Sequence, residues 1–190
     1  MLSNRPLDGA SGPDHGRREP QPADSEWLEA CARRYAARWE TSEANVARLL
    51  ARKARERGER SDEDADRLLE LIPAVVAGLV ERGFVDDRRF AASKLENLRR
   101  KGGSSAAIRG RLEEQGVPST LVDELFSQEE PSAELLAAWT FARRRKLGPY
   151  CVDFERRSAS RERHLAALGR RGFEIETALL VVDARERPFE

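Results

Sequence analysis

The feature that most constrains the fold is an internal repeat with a period of about 55 residues. Residues of one stretch recur at identical spacings in the next: Ile108, Leu112, Gly116, Val117, Val122 and Phe126 correspond to His164, Leu168, Gly172, Phe173, Ala178 and Val182. Val46 and Leu50 begin the same pattern earlier. Such a period is typical of helical modules that each bury one apolar stripe against a neighbour. We predict an all-α protein, an elongated, curved array of three tandem three-helix repeats.

The repeat divides the 190 residues into segments. Residues 1–25, rich in Pro, Gly, Asp and Arg, are expected to be a disordered tail, because they cannot bury enough surface to offset their ordering entropy. The repeats are expected at 26–84, 85–130 and 131–184, followed by a C-terminal tail at 185–190. Residues 54–67 lack a large apolar side chain, which predicts an exposed insertion in the first repeat.

Capping residues predict where helices begin and end. The expected N-caps are Ser25, Thr41 or Ser42, Asp86, Ser104 or Ser105, and Ser158 or Ser160, and Pro118 and Ser119 open a further helix. Glycines at 83, 102, 116, 148 and 172 are expected just past helix ends. Pro73 either lies in a first helical turn or kinks a longer helix.

The stretch GFVDDRRFA at 83–91 is the most recognisable motif. Its glycine stops a helix, Asp86 caps the next one, and Phe90 enters the core. Phe84 and Val85 are expected to pack the joint between the two helices. The stretch resembles the motif G-[LFY]-[LIV]-[DN]-D-x-x-[FY]-A of the RecX family.

Other stretches are similar to the same family. YAARWETS at 35–42 resembles the family segment Y-L-x-R-R-x-H-S, with Trp39 and Thr41 where Arg and His are usual. Residues 99–112 resemble R-x-x-x-G-x-x-x-I-x-x-x-L, and LGRRGF at 168–173 resembles L-x-R-R-G-F. The order and spacing of these stretches are more specific than any one of them alone.

Members of this family bind the RecA recombinase, so the resemblance implies that this chain modulates RecA. It implies a protein that lies along the groove of the RecA–DNA filament and lowers its ATPase and strand-exchange activities. The same resemblance implies roles in recombination, DNA repair and the SOS response. A curved array suits a helical filament, because linked weak contacts to successive protomers add through effective concentration.

Basic residues predict where a partner binds. Lys and Arg together equal Asp and Glu at 34 each, yet residues 131–183 carry ten basic and seven acidic residues. The candidate partner-binding residues are Arg143, Arg144, Arg145, Lys146, Arg170, Arg171, Arg99, Arg100, Lys101 and Arg109. They are expected to contact an acidic partner or phosphates; alternatively, they form a solvated face or complement helix dipoles.

Several other classes of function have little support in the sequence. No nucleophile stands beside a base, and no metal-ligand or phosphate-loop spacing occurs, so we expect no enzyme, cofactor or metal. His164 is expected to pack in the core, and Cys31 and Cys151 to be buried thiols in a reducing compartment. No apolar run is long enough for a membrane span, and a cytoplasmic monomer is expected.

Two alternatives to a RecA modulator remain open at this point. The first is a helical protein that binds nucleic acid without RecA, which predicts salt-sensitive affinity for bare DNA. For a RecA modulator, only weak non-specific DNA binding is expected. The second is a scaffold for another ATPase. Sequence-specific reading of DNA is disfavoured, because the last helix (EIETALLVVD) is acidic and apolar where base readout needs Arg, Asn or Gln.

Overall fold

The computed structural model describes residues 22–61, 65–151 and 159–188, and within these ranges it contains helices and no strands. The helices are α1 (Pro22–Ala36), α2 (Glu43–Ser61), α3 (Ala65–Glu81), α4 (Asp87–Arg99), α5 (Ser105–Glu114), α6 (Ser119–Ser127), α7 (Ala133–Arg145), a 3₁₀ turn (Gly148–Tyr150), α8 (Arg161–Arg170) and α9 (Ile175–Val182). The predicted all-helical class is confirmed for these residues. None of these helices combines the length and the apolar character that crossing a membrane requires.

Helices α1 to α3 form the first helix group around one buried cluster. Leu28 of α1, Leu50 of α2 and Leu79 of α3 meet in it and are fully buried or nearly so. Pro73 lies inside α3 on its exposed side rather than in a first turn. Because proline has no backbone N–H, α3 lacks one helical hydrogen bond at this position, while its opposite face packs in the core.

Helices α4 to α6 form the second helix group, whose core contains Phe90, Leu112 and Val122. The predicted caps are confirmed here. The Asp86 side chain accepts from the Arg89 N–H at 2.9 Å, and the Ser104 Oγ accepts from the Ala107 N–H at 3.2 Å. These bonds satisfy backbone donors that a first helical turn otherwise leaves without partners.

Helices α7 to α9 and the 3₁₀ turn form the third helix group. Trp139 and Tyr150 meet edge to face, with ring centres 6.2 Å apart. His164 is buried as predicted, and its Nδ1 accepts from the Gly148 N–H at 3.2 Å. Ser160 precedes α8, whereas Ser158, the alternative cap, lies outside the described residues.

The first helix begins earlier than predicted. Residues 22–25, expected to belong to the tail, form the first turn of α1, and the rest of that tail lies outside the described residues. Asp24 is buried and forms ion pairs with Arg57, at 3.8 Å, and with Arg67. This pairing with α2 and α3 explains how so polar a turn is held in the fold. At the other end, Arg187 of the predicted C-terminal tail donates to the Pro149 carbonyl at 2.9 Å.

The segment 54–67 is not a wholly exposed insertion. Most of it continues α2 to Ser61 or begins α3 at Ala65, and residues 62–64 lie outside the described residues. Ala54 is fully buried, and the Arg57 guanidinium lies 4.6 Å from the ring centre of Trp27. The prediction missed these contacts because a small residue and an arginine stem bury surface without a large apolar side chain.

Phe84 also departs from its prediction. Val85 is buried as expected, but Phe84 keeps 41% of its surface exposed. The Arg33 guanidinium lies 5.0 Å from the Phe84 ring centre, so the ring lies beneath an arginine rather than in the core. Gly83, before it, has a left-handed φ of 70°, which a residue with a side chain rarely adopts.

Candidate partner-binding surface

The fold uses the predicted basic residues in different ways. Arg99 and Arg109 are paired with carboxylates of the chain, and Arg144 lies at the contact between the second and third helix groups. Arg100, Lys101, Arg143, Arg144, Arg145, Lys146 and Arg170 are exposed, whereas Arg99, Arg109 and Arg171 are partly buried.

Arg99 is the most fully satisfied of these residues. Its guanidinium makes a two-fold contact with Glu129 at 2.7 and 2.8 Å and donates to Glu134 at 2.6 Å. It also donates to the Gly103 carbonyl at 2.9 Å and the Ser105 hydroxyl at 2.7 Å. A guanidinium has five N–H donors, and each of the five finds an acceptor here. Arg99 therefore links α4 to α5 and α7 and has little capacity left for a partner.

The protonation of Arg99 follows from the same contacts. Burial alone lowers the pKa of its guanidinium, but the hydrogen bonds to Glu129 and Glu134 outweigh burial and raise the pKa above its ordinary value. Arg109 is likewise used within its group. It is paired with Asp123, and its guanidinium lies 4.2 Å from the ring centre of Phe126.

The end of α7 lies against the loop that follows α4. Arg144 donates to the Lys101 carbonyl at 3.3 Å. A Cβ at Gly102 would lie 2.7 Å from the backbone nitrogen of Phe141, so only glycine allows this approach. Lys146 ends α7 in a left-handed conformation with a φ of 56°. The structure thus brings together two clusters that the sequence separates by about 40 residues, an approach that local pattern cannot reveal.

Arg171, at the end of α8, joins the same region. Its guanidinium lies 5.8 Å from the ring centre of Phe141. We call Lys101, Arg144 and Arg171 the central basic cluster, because Arg144 bonds to the Lys101 carbonyl, Gly102 after Lys101 meets the Phe141 backbone, and Arg171 lies over the Phe141 ring. Lys101 and Arg144 are exposed, so their charges act through a screened field that reaches about 8–10 Å in physiological salt and suits recognition of an acidic surface.

The contacts between helix groups repeat, which sequence reasoning did not predict. The Ser42 hydroxyl donates to the Gln115 carbonyl at 2.6 Å, and the Ser104 hydroxyl donates to the Arg171 carbonyl at 2.6 Å. In each case the N-cap serine of one group's middle helix meets the C-cap carbonyl of the next group's middle helix. We call these contacts the first joint and the second joint.

Two further contacts recur at both joints. The N–H of Glu43 donates to Asp87 at 2.8 Å, and the N–H of Ser105 donates to Glu134 at 2.8 Å. In each case the residue after the N-cap serine binds a carboxylate on the first helix of the next group. Glycines complete the match. A Cβ at Gly116 would lie 2.2 Å from Ala44, and a Cβ at Gly172 would lie 2.7 Å from the Ser104 hydroxyl, 3.3 Å from Ala106.

The sequence did contain a signal for these joints. Gly116 follows Ser104 by the same number of residues as Gly172 follows Ser160, and Ser42 stands at the start of the earlier copy of the pattern. The glycines were interpreted only as helix ends. Their second role, allowing two helix termini to approach, depends on which helices become neighbours.

The first joint carries an electrostatic cost. Burial, then the nearby charges of Asp87 and Asp86, raise the pKa of the Glu43 carboxyl. Burial also raises the pKa of Asp87, opposed by its hydrogen bond from the Glu43 N–H and reinforced by Asp86. Three carboxyl groups thus lie at neighbouring helix N-termini. The helix dipoles stabilise the charged form of each group, whereas the repulsion among the three destabilises it.

Within the described residues, no group of His, Cys, Asp or Glu side chains has the arrangement of a metal site. The two cysteines are not joined in a disulfide, and they are half-buried rather than fully buried as predicted.

Three curated proteins similar to this chain are each a regulatory protein RecX. The chain is 30% identical over 178 residues to the regulatory protein RecX of Myxococcus xanthus, a match that covers 91% of this chain and 95% of that relative. It is 29% identical over 151 residues to RecX of Halorhodospira halophila, covering 80% and 83%, and 35% identical over 97 residues to RecX of Escherichia coli, covering 51% and 57%. No protein-family model matches the chain, and no solved structure matches it.

Proposed function

Because this chain belongs to the RecX family, we propose that it binds the RecA recombinase on its DNA filament and modulates it, mainly by lowering ATP hydrolysis and strand exchange. It acts in recombination and DNA repair, including the SOS response, as a cytoplasmic monomer without catalytic activity or cofactor. The observation that carries the proposal is the similarity to the Myxococcus xanthus regulatory protein along nearly the whole of both chains.

The proposal includes the architecture: three tandem three-helix repeats in an elongated, curved array. Its support is the repetition of the serine, carboxylate and glycine contacts at the first and second joints. If neighbouring repeats are related by similar joints, equivalent surfaces are displayed at regular steps along the array. A filament of identical protomers presents matching sites at regular steps, so several weak contacts act together.

Within this array, the third repeat supplies a main contact surface. Its support is the cationic end of α7, which meets the second repeat at the central basic cluster, and the excess of basic residues in 131–183. Arg99 and Arg109 hold the fold around this surface instead of contacting the partner, because carboxylates within the chain already pair with them.

The experiment is a titration of single-stranded-DNA-dependent ATP hydrolysis by the RecA of the same organism. Inhibition at less than one chain per RecA supports capture of the filament or blocking of its end. The variant R143E/R144E/R170E should lose most inhibition while keeping its helical content. The variant R55E/R60E/R185E changes the net charge equally at exposed positions elsewhere and should inhibit like the unaltered chain.

Two results would count against the proposal. If the chain does not change ATP hydrolysis by RecA, the proposed function is wrong and only the family relationship remains. Equal inhibition by both charge-reversal variants removes the third repeat as the contact surface and leaves inhibition itself intact.

The second candidate function is nucleic-acid binding without RecA. The exposed cations of the central basic cluster favour it, because phosphate contacts need only positive charge. A titration of bare single-stranded DNA separates the two functions. Tight binding that weakens steeply as salt rises, together with unchanged ATP hydrolysis by RecA, supports the second candidate.

A further inference from the structure

Two exposed aromatic side chains precede residues of the first joint: Trp39 lies three residues before Ser42, and Phe84 lies three residues before Asp87. Trp39 keeps 61% of its surface exposed, and Phe84 keeps 41%. The other two tryptophans are used internally: Trp139 is buried, and Trp27 packs beneath an arginine. Exposed tryptophans beside arginines have the composition that dominates binding energy at protein interfaces.

The backbone around both rings is hydrogen-bonded. The Trp39 N–H donates to the Tyr35 carbonyl at 3.1 Å, and the Phe84 N–H donates to the Leu79 carbonyl at 2.9 Å. Next to Trp39, Glu40 accepts from an arginine of α4 at 2.7 Å, which fastens the loop after α1 to the second helix group. Both rings are therefore presented on ordered backbone, which reduces the entropy lost on binding.

The charge beside these rings is positive. Arg33, Arg34 and Arg38 are exposed on the end of α1 and the turn after it. On α1 and the turn after it the carboxylates are paired, since Glu29 is shared between two arginines and Glu40 is bonded to α4. Asp86 and Asp87, which follow Phe84, are engaged differently, because they accept from backbone N–H groups at the starts of α4 and α2. Arg34 and Arg38 thus leave an excess of positive charge that an acidic surface would complement.

We propose that Trp39, Phe84, Arg34 and Arg38, the first-joint patch, dock on an acidic protein surface that offers an apolar pocket to Trp39. A protein fits better than a single-stranded nucleic acid, because Arg33 already covers the Phe84 ring and a base-stacking platform needs successive open rings. The inference rests on the proposed function, which makes the RecA filament the partner. It adds a contact surface in the first repeat, distant in sequence from the third-repeat cations.

The test measures co-sedimentation of the full chain with RecA filaments formed on poly(dT) with a slowly hydrolysed ATP analogue. W39A should weaken binding by at least about tenfold, the loss expected of a central interface anchor. W39F should recover most of the affinity. L180A removes a side chain that is 62% exposed on α9 and should change the affinity less than about threefold, as most peripheral truncations do.

The charge of the patch is tested separately. R38E should weaken binding and R55E should not, because both residues are exposed but only Arg38 borders Trp39. Thermal unfolding of each variant establishes that it folds. Binding of W39A to bare poly(dT) should equal that of the unaltered chain.

The outcomes separate this inference from the proposed function. An unaltered chain that sediments with the filament, together with a W39A variant that sediments equally well, overturns the first-joint patch alone. A W39A variant that loses affinity for bare poly(dT) in the same proportion assigns the patch to nucleic acid and also overturns the inference. An unaltered chain that neither sediments with the filament nor inhibits ATP hydrolysis overturns both.

Discussion

Replacing Arg99 by methionine should destabilise the protein by about 2–3 kcal/mol, through the carboxylates that it leaves behind. The Arg99 side chain is 12% exposed, and its partners Glu129 and Glu134 are 17% and 29% exposed. Removing one partner from a fully buried ion pair costs about 3–5 kcal/mol, because an uncompensated charge remains in a poorly solvated site. The residual exposure of Glu134 lets water screen part of that charge, which brings the expected loss down to about 2–3 kcal/mol.

The assay is urea unfolding followed by far-ultraviolet circular dichroism, with R88A as the matched control. Arg88 also pairs with a glutamate, Glu124, but both side chains are about half exposed. An exposed pair contributes about 0.2–1 kcal/mol, so the control should shift the urea midpoint only slightly. If R99M lowers stability no more than R88A does, the Arg99 network is not the structural link that its contacts indicate.

Three more predictions concern the joints. G172A should lower stability by about 1–3 kcal/mol, because φ at Gly172 is 90° and the added Cβ meets the Ser104 hydroxyl. The control G169A should be neutral or stabilising in thermal unfolding, since its added Cβ meets nothing within 4 Å. Equal melting temperatures for the two variants would refute the steric argument. S104A should cost about 1–2 kcal/mol in urea unfolding, because a helix cap and a bond to the third group are lost together; a loss below about 0.3 kcal/mol, within the error of extrapolation, would show that water replaces both bonds. The raised pKa of Glu43 means that the folded chain binds this proton more tightly than the unfolded chain, so stability falls as the pH rises from near 4.5, the ordinary pKa, to above the raised pKa. E43Q should therefore raise the melting temperature more at neutral pH than at pH values near 4. Parallel pH profiles of the melting temperature for E43Q and the unaltered chain would contradict the assigned repulsion.

Local chemistry made part of the fold predictable from the sequence. Asp86 and Ser104 cap helices through donors three residues away, and those donors are near in the chain whatever the rest of the protein does. The recurrence of apolar residues every three or four positions, with glycines past the ends, similarly predicted helices in the described residues. Such signals depend on neighbours within one or two turns, so a single sequence suffices to identify them.

The joints and the state of the basic residues could not be predicted in the same way. Arg99 belongs to a run of three cations, and nothing nearby in the sequence indicates that Glu129 and Glu134 reach it. The Ser104 hydroxyl finds its acceptor 67 residues away. Contacts at that range depend on how helix groups pack, and one sequence gives the residue types without the packing.

The two joints give the chain a direction. Each joint requires a middle helix that stops and exposes its last carbonyl beside a left-handed glycine, as α5 and α8 do. Helix α2 does not stop at the corresponding point: Ala54 occupies the glycine's place, and the helix runs on to Ser61 with its carbonyls still engaged. The first helix group therefore supplies the serine of a joint but no stopped middle helix to receive one, which makes the three groups inequivalent along the chain.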